Sequence, residues 1–342
     1  MRVEQGADLQ PYNTLALSAT ATTLVHAENV QDVREAISLA RMKDLPLIPL
    51  GGGSNVVLAG DLDVVVLRMA LIGVSELSRN ATSVLLRVGA GEGWHDFVSW
   101  CLDHEFYGLE NLALIPGTVG AAPIQNIGAY GVELEQFVEA VNVIDLTSAE
   151  ARRLNREACE FGYRDSVFKR ELRDRVVITS VDLRLSLQPT LNLDYPSLRN
   201  YLNVEGETAT PRSVFDAVVA IRQARLPDPA ELPNAGSFFK NPIVGQASGA
   251  YLRTRYSQLP VFPQPDGRMK LSAAWMIEHC GWKGLERDGV GVAANHSLVL
   301  VNHGSDNGTA VLALAQDIRE SVRNVFGYEL EIEPRVLESE HG

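Results

Sequence analysis

The sequence predicts an α+β protein with more than one domain, on three observations. The chain has 342 residues, which allows two or three packed units at roughly 150 residues each. It is 46% hydrophobic and 21% charged, a balance typical of a chain that folds around a core. Helix patterns alternate with short apolar runs near the N-terminus and give way to longer strand-like stretches further on.

The first elements predict a small α/β unit. Residues 24–27 have a strand pattern, and Asn29 can cap a helix whose apolar stripe is Val30, Val33, Ile37 and Ala40. Residues 45–50 form a buried strand pattern that leads into Gly51-Gly-Gly-Ser-Asn55, and residues 64–67 form the next strand pattern. A glycine loop is therefore expected at the carboxyl end of a strand.

The rest of the chain predicts an α+β middle part and a third part. In the middle we expect strands at 84–88, 138–146 and 176–187 and a helix at 94–105. After a polar stretch at 203–210, Thr210 and Pro211 start a helix that ends at Leu226-Pro-Asp-Pro. The last long helix covers 309–326 and stops at Gly327, and a closing strand is expected at 328–333.

The charge balance excludes several classes of partner. Lys and Arg number 30 against 43 Asp and Glu, a net charge of −13 that repels nucleic acid and anionic bilayers on average. An anionic ligand must therefore find a local cationic pocket.

The cysteines and the N-terminus predict a cytoplasmic protein. Cys101, Cys159 and Cys280 are too far apart in sequence for a zinc or redox motif, so we expect reduced thiols and no metal. The first residues carry two acids and no apolar stretch of signal-peptide length. The uncharged stretch 112–132 is long enough to cross a membrane, but its prolines and glycines exclude that interpretation.

Two glycine-rich segments can bind a cofactor through their backbone. Gly51-Gly-Gly-Ser-Asn55 offers approachable N–H groups suited to a pyrophosphate, although a tight turn explains the same residues. The segment 112–131 is uncharged and long, and Gln125, Asn126 and Tyr130 can add side-chain hydrogen bonds to a planar, partly apolar cofactor.

The order of five motifs resembles the UDP-N-acetylenolpyruvoylglucosamine reductase family, over roughly residues 11–336. The motifs are the two glycine-rich segments, Phe161-Gly-Tyr-Arg-Asp-Ser-Val-Phe168, Asn234-Ala-Gly-Ser-Phe-Phe-Lys-Asn-Pro242 and Glu333-Pro-Arg335. The resemblance implies a two-part FAD-binding domain of the vanillyl-alcohol-oxidase/PCMH type, with that region at about 17–188, and a C-terminal α+β substrate-binding domain. We expect the parts at 1–70, with a strand from 328–342 returning to it, at 71–207 and at 208–327.

The resemblance also implies an activity in peptidoglycan precursor synthesis. Hydride passes from NADPH to non-covalently bound FAD and then to the enolpyruvyl group of UDP-N-acetylglucosamine enolpyruvate, giving UDP-N-acetylmuramate. Such a reaction needs a cation and an acid to stabilise an enolate and a donor to protonate a carbon. The expected partner is the small UDP-sugar, with no nucleic acid or membrane, and the enzyme is expected to be a monomer.

Three residues match the catalytic positions of the family. Arg164 corresponds to the arginine that holds the substrate carboxylate, although a salt bridge with Asp165 or Glu160 is the alternative. Ser237 corresponds to the proton donor, although it could be a small residue beside two core phenylalanines. Glu333 corresponds to the glutamate that helps to stabilise the enolate. Because Ile332 replaces a proline there, Glu331 is a rival.

The remaining matched positions are expected to bind the cofactor or the substrate. The implied FAD contacts are Gly51, Gly52, Gly53, Ser54, Asn55, Ile115, Pro116, Gly117, Gly120, Ala121, Gln125, Asn126, Gly128, Tyr130 and Arg222. The implied substrate contacts are Tyr163, Tyr195, Arg225, Asn241, Lys270, Lys283, His296 and Arg335. Arg225 stands where lysine is expected, Phe262 replaces a tyrosine, and His296 could equally be structural.

Two other functions remain open on the sequence. An FAD-dependent sugar or lactone oxidase could share the fold, although neither glycine-rich segment offers a His or Cys for the covalent flavin attachment common in such oxidases. A non-catalytic nucleotide-binding protein would be expected to lack Arg164, Ser237 or Glu333, and all three are present.

Overall fold

The computed structural model describes residues 1–205 and 209–338. Part of the predicted polar stretch, 206–208, and the last residues of the predicted returning strand, 339–342, lie outside the described residues. The described strands are β1 (Arg2–Asp8), β2 (Thr20–Ala27), β3 (Leu47–Leu50), β4 (Val56–Leu58), β5 (Leu62–Met69), β6 (Val74–Arg79), β7 (Ser83–Gly89), β8 (Gly128–Ala129), β9 (Val132–Glu133), β10 (Val138–Asp145), β11 (Ala151–Asn155), β12 (Val176–Ser186), β13 (Asn234–Ser237), β14 (Ile243–Val244), β15 (Val261–Pro263), β16 (Met269–Leu271), β17 (Glu286–Arg287), β18 (Val290–Val292), β19 (Val299–Asn302) and β20 (Arg335–Leu337). The described α-helices are α1 (Val30–Lys43), α2 (Trp94–Asp103), α3 (Pro196–Glu205), α4 (Pro211–Arg225), α5 (Gln246–Arg255), α6 (Ala273–His279) and α7 (Gly308–Phe326).

The chain forms two compact units. The first unit is Met1–Ala7, Ala21–Gly53 and Asp63–Ala224, and the second is Asp8–Thr20, Ser54–Leu62 and the chain from Arg225 onward. The glycine-rich segment 51–55 therefore leaves the first unit at Gly53 and enters the second at Ser54. The finer division of the first unit into two FAD-binding subdomains stays a prediction.

Among its described residues, the first unit contains two larger sheets and the two-stranded pair β8-β9. The first has the order β1-β2-β5-β3, with β3 parallel to β5, and α1 follows β2. Asn29 caps α1 as predicted, since its side-chain oxygen accepts from the N–H of Asp32 at 3.0 Å. The second sheet is antiparallel, with the order β11-β10-β12-β7-β6. The apolar faces of α2 and α4 belong to the same core as these strands.

In its described residues, the second unit is built from short strands and the three α-helices α5, α6 and α7. Its sheets have the orders β13-β19-β18-β17 and β14-β16-β15, and β20 pairs in parallel with β4. Helix α7 buries Val311, Leu314, Ile318 and Val322 and ends at Gly327, whose φ of 77° suits the left-handed terminus that was predicted.

Most predicted elements are confirmed, and one is wrong. The predicted strand at 328–333 is not a strand, because only Ile332 makes an isolated bridge there and β20 begins at Arg335. Arg319 of α7 donates to the carbonyl of Leu330 at 3.0 Å and pairs with Glu329. The alternation of Tyr328, Leu330 and Ile332 therefore reflects a segment held along α7. Strand β1 and helix α3 were not predicted.

Candidate active site

The glycine turn after β3 packs backbone to backbone against the long glycine-rich segment. A Cβ on Gly51 would lie 2.5 Å from Oγ1 of Thr118, and a Cβ on Gly52 would lie 3.0 Å from Cα of Gly117. Arg68 donates a hydrogen bond to the carbonyl of Gly51. Glycine is required here because of this close approach, not only because of a turn.

The segment 112–131 is anchored on the connection between β7 and α2. The N–H groups of Val119 and Gly120 donate to the carbonyls of Glu92 and Ala90, both at 2.9 Å, and Trp94 N–H donates to the carbonyl of Gly117 at 3.0 Å. Several residues of the segment have a positive φ, namely Leu114, Gly117, Asn126, Tyr130 and Gly131. The backbone thus turns repeatedly instead of forming a regular element.

The two glycine-rich segments fit a pyrophosphate-bearing cofactor. The turn at Gly51 and Gly52 packs directly on Gly117 and Thr118, so its backbone carries no side chain at this contact. Thr118 is 9% exposed, and its buried hydroxyl has no hydrogen-bond partner among the described residues. A buried hydroxyl without a partner is costly, so a bound polar group at this position would stabilise it.

The predicted FAD contacts in this segment differ in what they can offer. Asn126 is fully buried, and its side chain bonds Gly162, Glu133 and Glu135 of its own unit, so its side-chain amide already has partners within the protein. The ring of Tyr130 lies edge-on to Tyr195, with centroids 5.2 Å apart. The other predicted contacts of the segment are partly exposed or buried in its turns: Ile115, Pro116, Gly120, Ala121, Gln125 and Gly128.

Arg164 lies on a tight turn with its guanidinium directed at the same segment. Its φ is 53°, and Gly162 and Asp165 bridge the turn. The guanidinium donates to the carbonyl of Asn126 at 3.3 Å and to that of Gly128 at 2.5 Å. It also stacks over the ring of Tyr163 at 5.4 Å.

The acids beside Arg164 are bound by another arginine. Arg170 pairs with Glu160 at 2.8 Å and also with Asp165. The alternative role of Arg164 was a salt bridge to one of these two carboxylates. Arg170 already forms an ion pair with each of them.

Arg222 of α4 contacts the start of the segment. Its Nε donates to the carbonyl of Leu114 at 3.2 Å. Burial lowers the pKa of Arg222; the nearby Tyr130 opposes this shift, and Arg164 adds to it. The N–H of Leu114 donates to Nδ1 of His95 at 3.0 Å, a contact that the sequence analysis missed because no pattern marks a histidine in the first turn of a helix.

Ser237 ends strand β13 at an irregularity. The register of β13 against β19 shifts between the pairs Asn234–Val301 and Ser237–Val299, and Gly236 has a φ of 68°. Asn234 is 3% exposed and accepts from the N–H of Gly236 at 2.9 Å. Such a bulge redirects the strand, and Ser237 comes directly after it.

The segment that carries Glu333 pairs with the residues that directly follow Ser237 in the second unit. Its N–H donates to the carbonyl of Phe238 at 2.9 Å, and Ile332 bridges Phe239. Glu331 lies two residues earlier in the same paired segment. Its side chain is 68% exposed, and its carboxylate pairs with Lys240. Glu333 is half-buried. The two rival glutamates therefore differ in solvent exposure.

The predicted substrate contacts of the second unit are held by local partners. Asn241 accepts from the N–H of Ala273 at 2.9 Å, at the start of α6. Lys283 pairs with Glu278 at 3.0 Å, and His296 accepts from the N–H of Leu298 at 3.3 Å. The other members are Arg225 at the end of α4, Lys270 on β16, and Arg335 on β20, whose N–H donates to the carbonyl of Asn55 at 2.9 Å. Tyr163 and Tyr195 belong to the first unit, and Ser54 belongs to the second.

None of the helices in the described ranges is long and apolar enough to cross a membrane.

Comparison with known proteins identifies both parts of the chain. Residues 21–155 match the family model of an FAD-binding domain, and residues 228–337 match that of the C-terminal domain of UDP-N-acetylenolpyruvoylglucosamine reductase. The chain is 49% identical over 337 residues to the UDP-N-acetylenolpyruvoylglucosamine reductase of Pseudomonas aeruginosa, covering 98% of this chain and 99% of the relative. It is 46% identical over 329 residues to the reductase of Burkholderia ambifaria, covering 95% and 94%.

A solved structure has the same fold. The UDP-N-acetylenolpyruvylglucosamine reductase from Thermus caldophilus superposes with a TM-score of 0.68 at 24% identity, over 99% of this chain and 100% of that one. The expected fold, an FAD-binding domain followed by an α+β C-terminal domain, is confirmed. The protein is an FAD-dependent oxidoreductase that acts on a UDP-sugar in peptidoglycan precursor synthesis. On the identity to its relatives and the match of its C-terminal domain, the chain belongs to the UDP-N-acetylenolpyruvoylglucosamine reductase family.

Proposed function

We propose that this enzyme uses NADPH to reduce the enolpyruvyl group of UDP-N-acetylglucosamine enolpyruvate to the lactyl group of UDP-N-acetylmuramate. The observation that carries the proposal is the pairing of residues 238–240 with 331–333, which holds the segment of the half-buried Glu333 against the residues that directly follow Ser237 and its strand bulge. A proton donor and an acid are the groups that the reduction of an enolpyruvate requires.

FAD, when bound, supplies the hydride acceptor and donor between NADPH and the substrate. The first unit supports its binding through the backbone of Gly51 and Gly52 packed against Gly117 and through the unpartnered hydroxyl of Thr118. We propose that the N–H groups of the glycine turn hold the pyrophosphate. The side chain of Gln125, at the surface of the segment, is the proposed polar contact of the ring system.

Arg164 is proposed to bind the substrate carboxylate. The negative charge that develops on the reacting carbon is shared with this carboxylate, so a guanidinium there stabilises it. Two carbonyl contacts orient the guanidinium, while Arg170 holds the neighbouring acids. The fork of an arginine matches two carboxylate oxygens in a way that lysine cannot reproduce.

Ser237 is proposed to donate the proton to the reacting carbon. Its position directly after the bulge fixes the backbone that carries the hydroxyl. Phe238 and Phe239, 0% and 1% exposed, anchor the following residues in the core. A donor fixed in this way loses little entropy when it transfers the proton.

Glu333 is proposed to assist at the enolate, in preference to Glu331. Glu331 is exposed and its carboxylate pairs with Lys240, whereas Glu333 is half-buried on the segment that pairs with the residues after Ser237. Cations of the second unit, Arg225, Lys270, Lys283 and Arg335, with Asn241, are proposed to face the anionic UDP-sugar. A cytoplasmic location and a monomeric state stay predictions.

The test is an anaerobic assay of NADPH oxidation with product analysis by mass spectrometry. We expect oxidation of NADPH only when the enolpyruvyl UDP-sugar is present, with one product heavier than the substrate by two hydrogen atoms. NADPH oxidation without that product, or hydrogen peroxide formed from a sugar alcohol in air, would favour the FAD-dependent sugar or lactone oxidase.

A further inference from the structure

The peptide unit at Leu114 is held on both sides in an unfavourable conformation. Leu114 has a φ of 57°, in the left-handed region that residues other than glycine rarely adopt. Its N–H donates to Nδ1 of His95 at 3.0 Å, and its carbonyl accepts from Nε of Arg222 at 3.2 Å. Such strain persists only where the surroundings enforce it.

The ring of His95 is itself fixed. It lies parallel to the ring of Phe215, with an angle of 9° and a centroid distance of 5.3 Å. The preceding residue, Trp94, is 1% exposed and donates from its indole to the carbonyl of Leu112 at 2.9 Å. The start of α2 therefore grips the segment at two points on either side of Ala113.

The hydrogen bond at Leu114 requires one protonation state of His95. Nδ1 accepts only when its lone pair is free, so the ring must be neutral with its proton on Nε2. Burial lowers the pKa of His95; Asp96 on the same helix opposes this shift, and Arg222 from α4 adds to it. The neutral ring is thus favoured at neutral pH.

Leu114 leads directly into the glycine-rich cradle. Three residues later, Cα of Gly117 lies 3.0 Å from where a Cβ on Gly52 would be. The two backbones have no slack at this contact, so a changed peptide orientation at Leu114 moves Gly117 relative to the glycine turn.

We propose that neutral His95 is a positioning residue for FAD, which together with Arg222 clamps the Leu114 peptide and so sets the backbone of the cofactor-binding segment. The inference rests on the proposed binding of FAD by the segment 112–131. Protonation of His95 replaces an acceptor by a donor facing the Leu114 N–H, so the clamp opens and the affinity for FAD falls as the pH decreases.

Two variants of His95 test the contribution of the aromatic ring and that of the acceptor atom one at a time. His95→Phe keeps an aromatic ring for Phe215 but has no acceptor, and His95→Asn places an amide oxygen near the Nδ1 position but has no ring and does not titrate. FAD release from the holoenzyme on dilution, followed by flavin fluorescence between about pH 5 and pH 8, reports the affinity independently of turnover.

We expect His95→Phe to raise the dissociation constant about tenfold or more at pH 7.5, and His95→Asn to stay within about threefold of the native enzyme. The native enzyme should lose affinity towards pH 5, while both variants show a flat profile. His104→Phe, at the other end of α2, is the control and should keep the native profile.

Gly52→Ala shows whether a negative result refutes only the role of His95 or also the binding of FAD by the segment 112–131. If Gly52→Ala weakens FAD binding but His95→Phe retains native affinity and pH profile, the clamp is wrong. If neither variant changes FAD release, the assignment of the segment to FAD is wrong and the inference falls with it. Should His95→Phe fail to fold, native pH dependence in His95→Asn would overturn the proposal.

Discussion

Among single residues, Arg164 is oriented by backbone carbonyls, while another arginine binds the acids near it. Its guanidinium contacts the carbonyls of Asn126 and Gly128, and the acids on either side of it in the sequence pair with Arg170. Sequence context alone favoured a salt bridge with Asp165 or Glu160, because adjacent charges in a sequence do not show which of them meet in space, and only the family resemblance reversed that preference.

Replacing Ser237 by alanine should separate the two halves of the reaction. We expect native rates of flavin reduction by NADPH but a reduction of the UDP-sugar that is slower by about 10²- to 10⁴-fold, because only the second half needs the proton. Stopped-flow absorbance of the flavin measures both rates. Ser257→Ala, at an exposed turn, is the matched control. Equal losses in both half-reactions would argue against a proton donor at Ser237.

Single Gln variants should distinguish Glu333 from Glu331. We expect Glu333→Gln to slow reduction of the UDP-sugar by at least about tenfold, since the charge beside Ser237 is removed. Glu331→Gln should have little effect, because its exposed pair with Lys240 is worth less than about 1 kcal/mol. A larger defect at position 331, measured in the same stopped-flow experiment, would reverse the assignment.

At the scale of elements, the five-stranded sheet is pinned by a buried charge cluster. Asp182 on β12 is fully buried and accepts from Arg87 on β7 at 2.8 and 2.9 Å, from Asn142 on β10 at 2.9 Å and from Arg153 on β11 at 3.2 Å. Burial works to raise the pKa of Asp182, but these hydrogen bonds and the charge of Arg87 hold it below its usual value. Four strands are thus tied at one carboxylate.

Asp182→Asn should destabilise the protein in a pH-dependent way. Because the pKa is lowered by folding, the stabilisation is present above the ordinary value of 3.8 and is lost as the pH falls through the folded value. We expect the free energy of unfolding to fall by about 2 kcal/mol at pH 7. The difference between the variant and the native protein should become smaller as the pH falls below about 4. Urea unfolding measures it. Glu139→Gln, in an exposed pair with Arg184, is the control, and an equal effect of both would contradict the account.

Elements with local signals could be predicted, and those that depend on tertiary contacts could not. Thr210 accepts from the N–H of Ser213 at 3.1 Å, so the cap and Pro211 define the start of α4 as their chemistry predicts. The segment 328–333 alternates like a strand, but Arg319 holds it along α7. A side chain from a distant helix leaves no trace in the local pattern.

For the whole molecule, the net charge of −13 does not show how positive charge is distributed locally. Three of the five lysines fall at 240, 270 and 283, a distribution that by itself favours a local cationic region. The structure pairs Lys240 with Glu331 and Lys283 with Glu278, so the local positive charge is smaller than a count of lysines implies. An anionic substrate bound at these lysines, as proposed, would have to compete with the carboxylates of Glu331 and Glu278.

The family motifs led to the candidate site, while its supporting residues came only from the structure. Gly52 was marked by its motif, and its close approach to Gly117 explains the glycine. His95 and Arg170 carry no motif, because each acts on the backbone or the neighbours of a motif residue. Such positioning roles depend on which segments meet in space.

The most direct test of the central claim is the absorption spectrum of the purified holoenzyme under anaerobic conditions. We expect an oxidised-flavin spectrum that NADPH bleaches. One equivalent of UDP-N-acetylglucosamine enolpyruvate should then restore it. A flavin that stays bleached with this substrate and regains its colour only in air would contradict it.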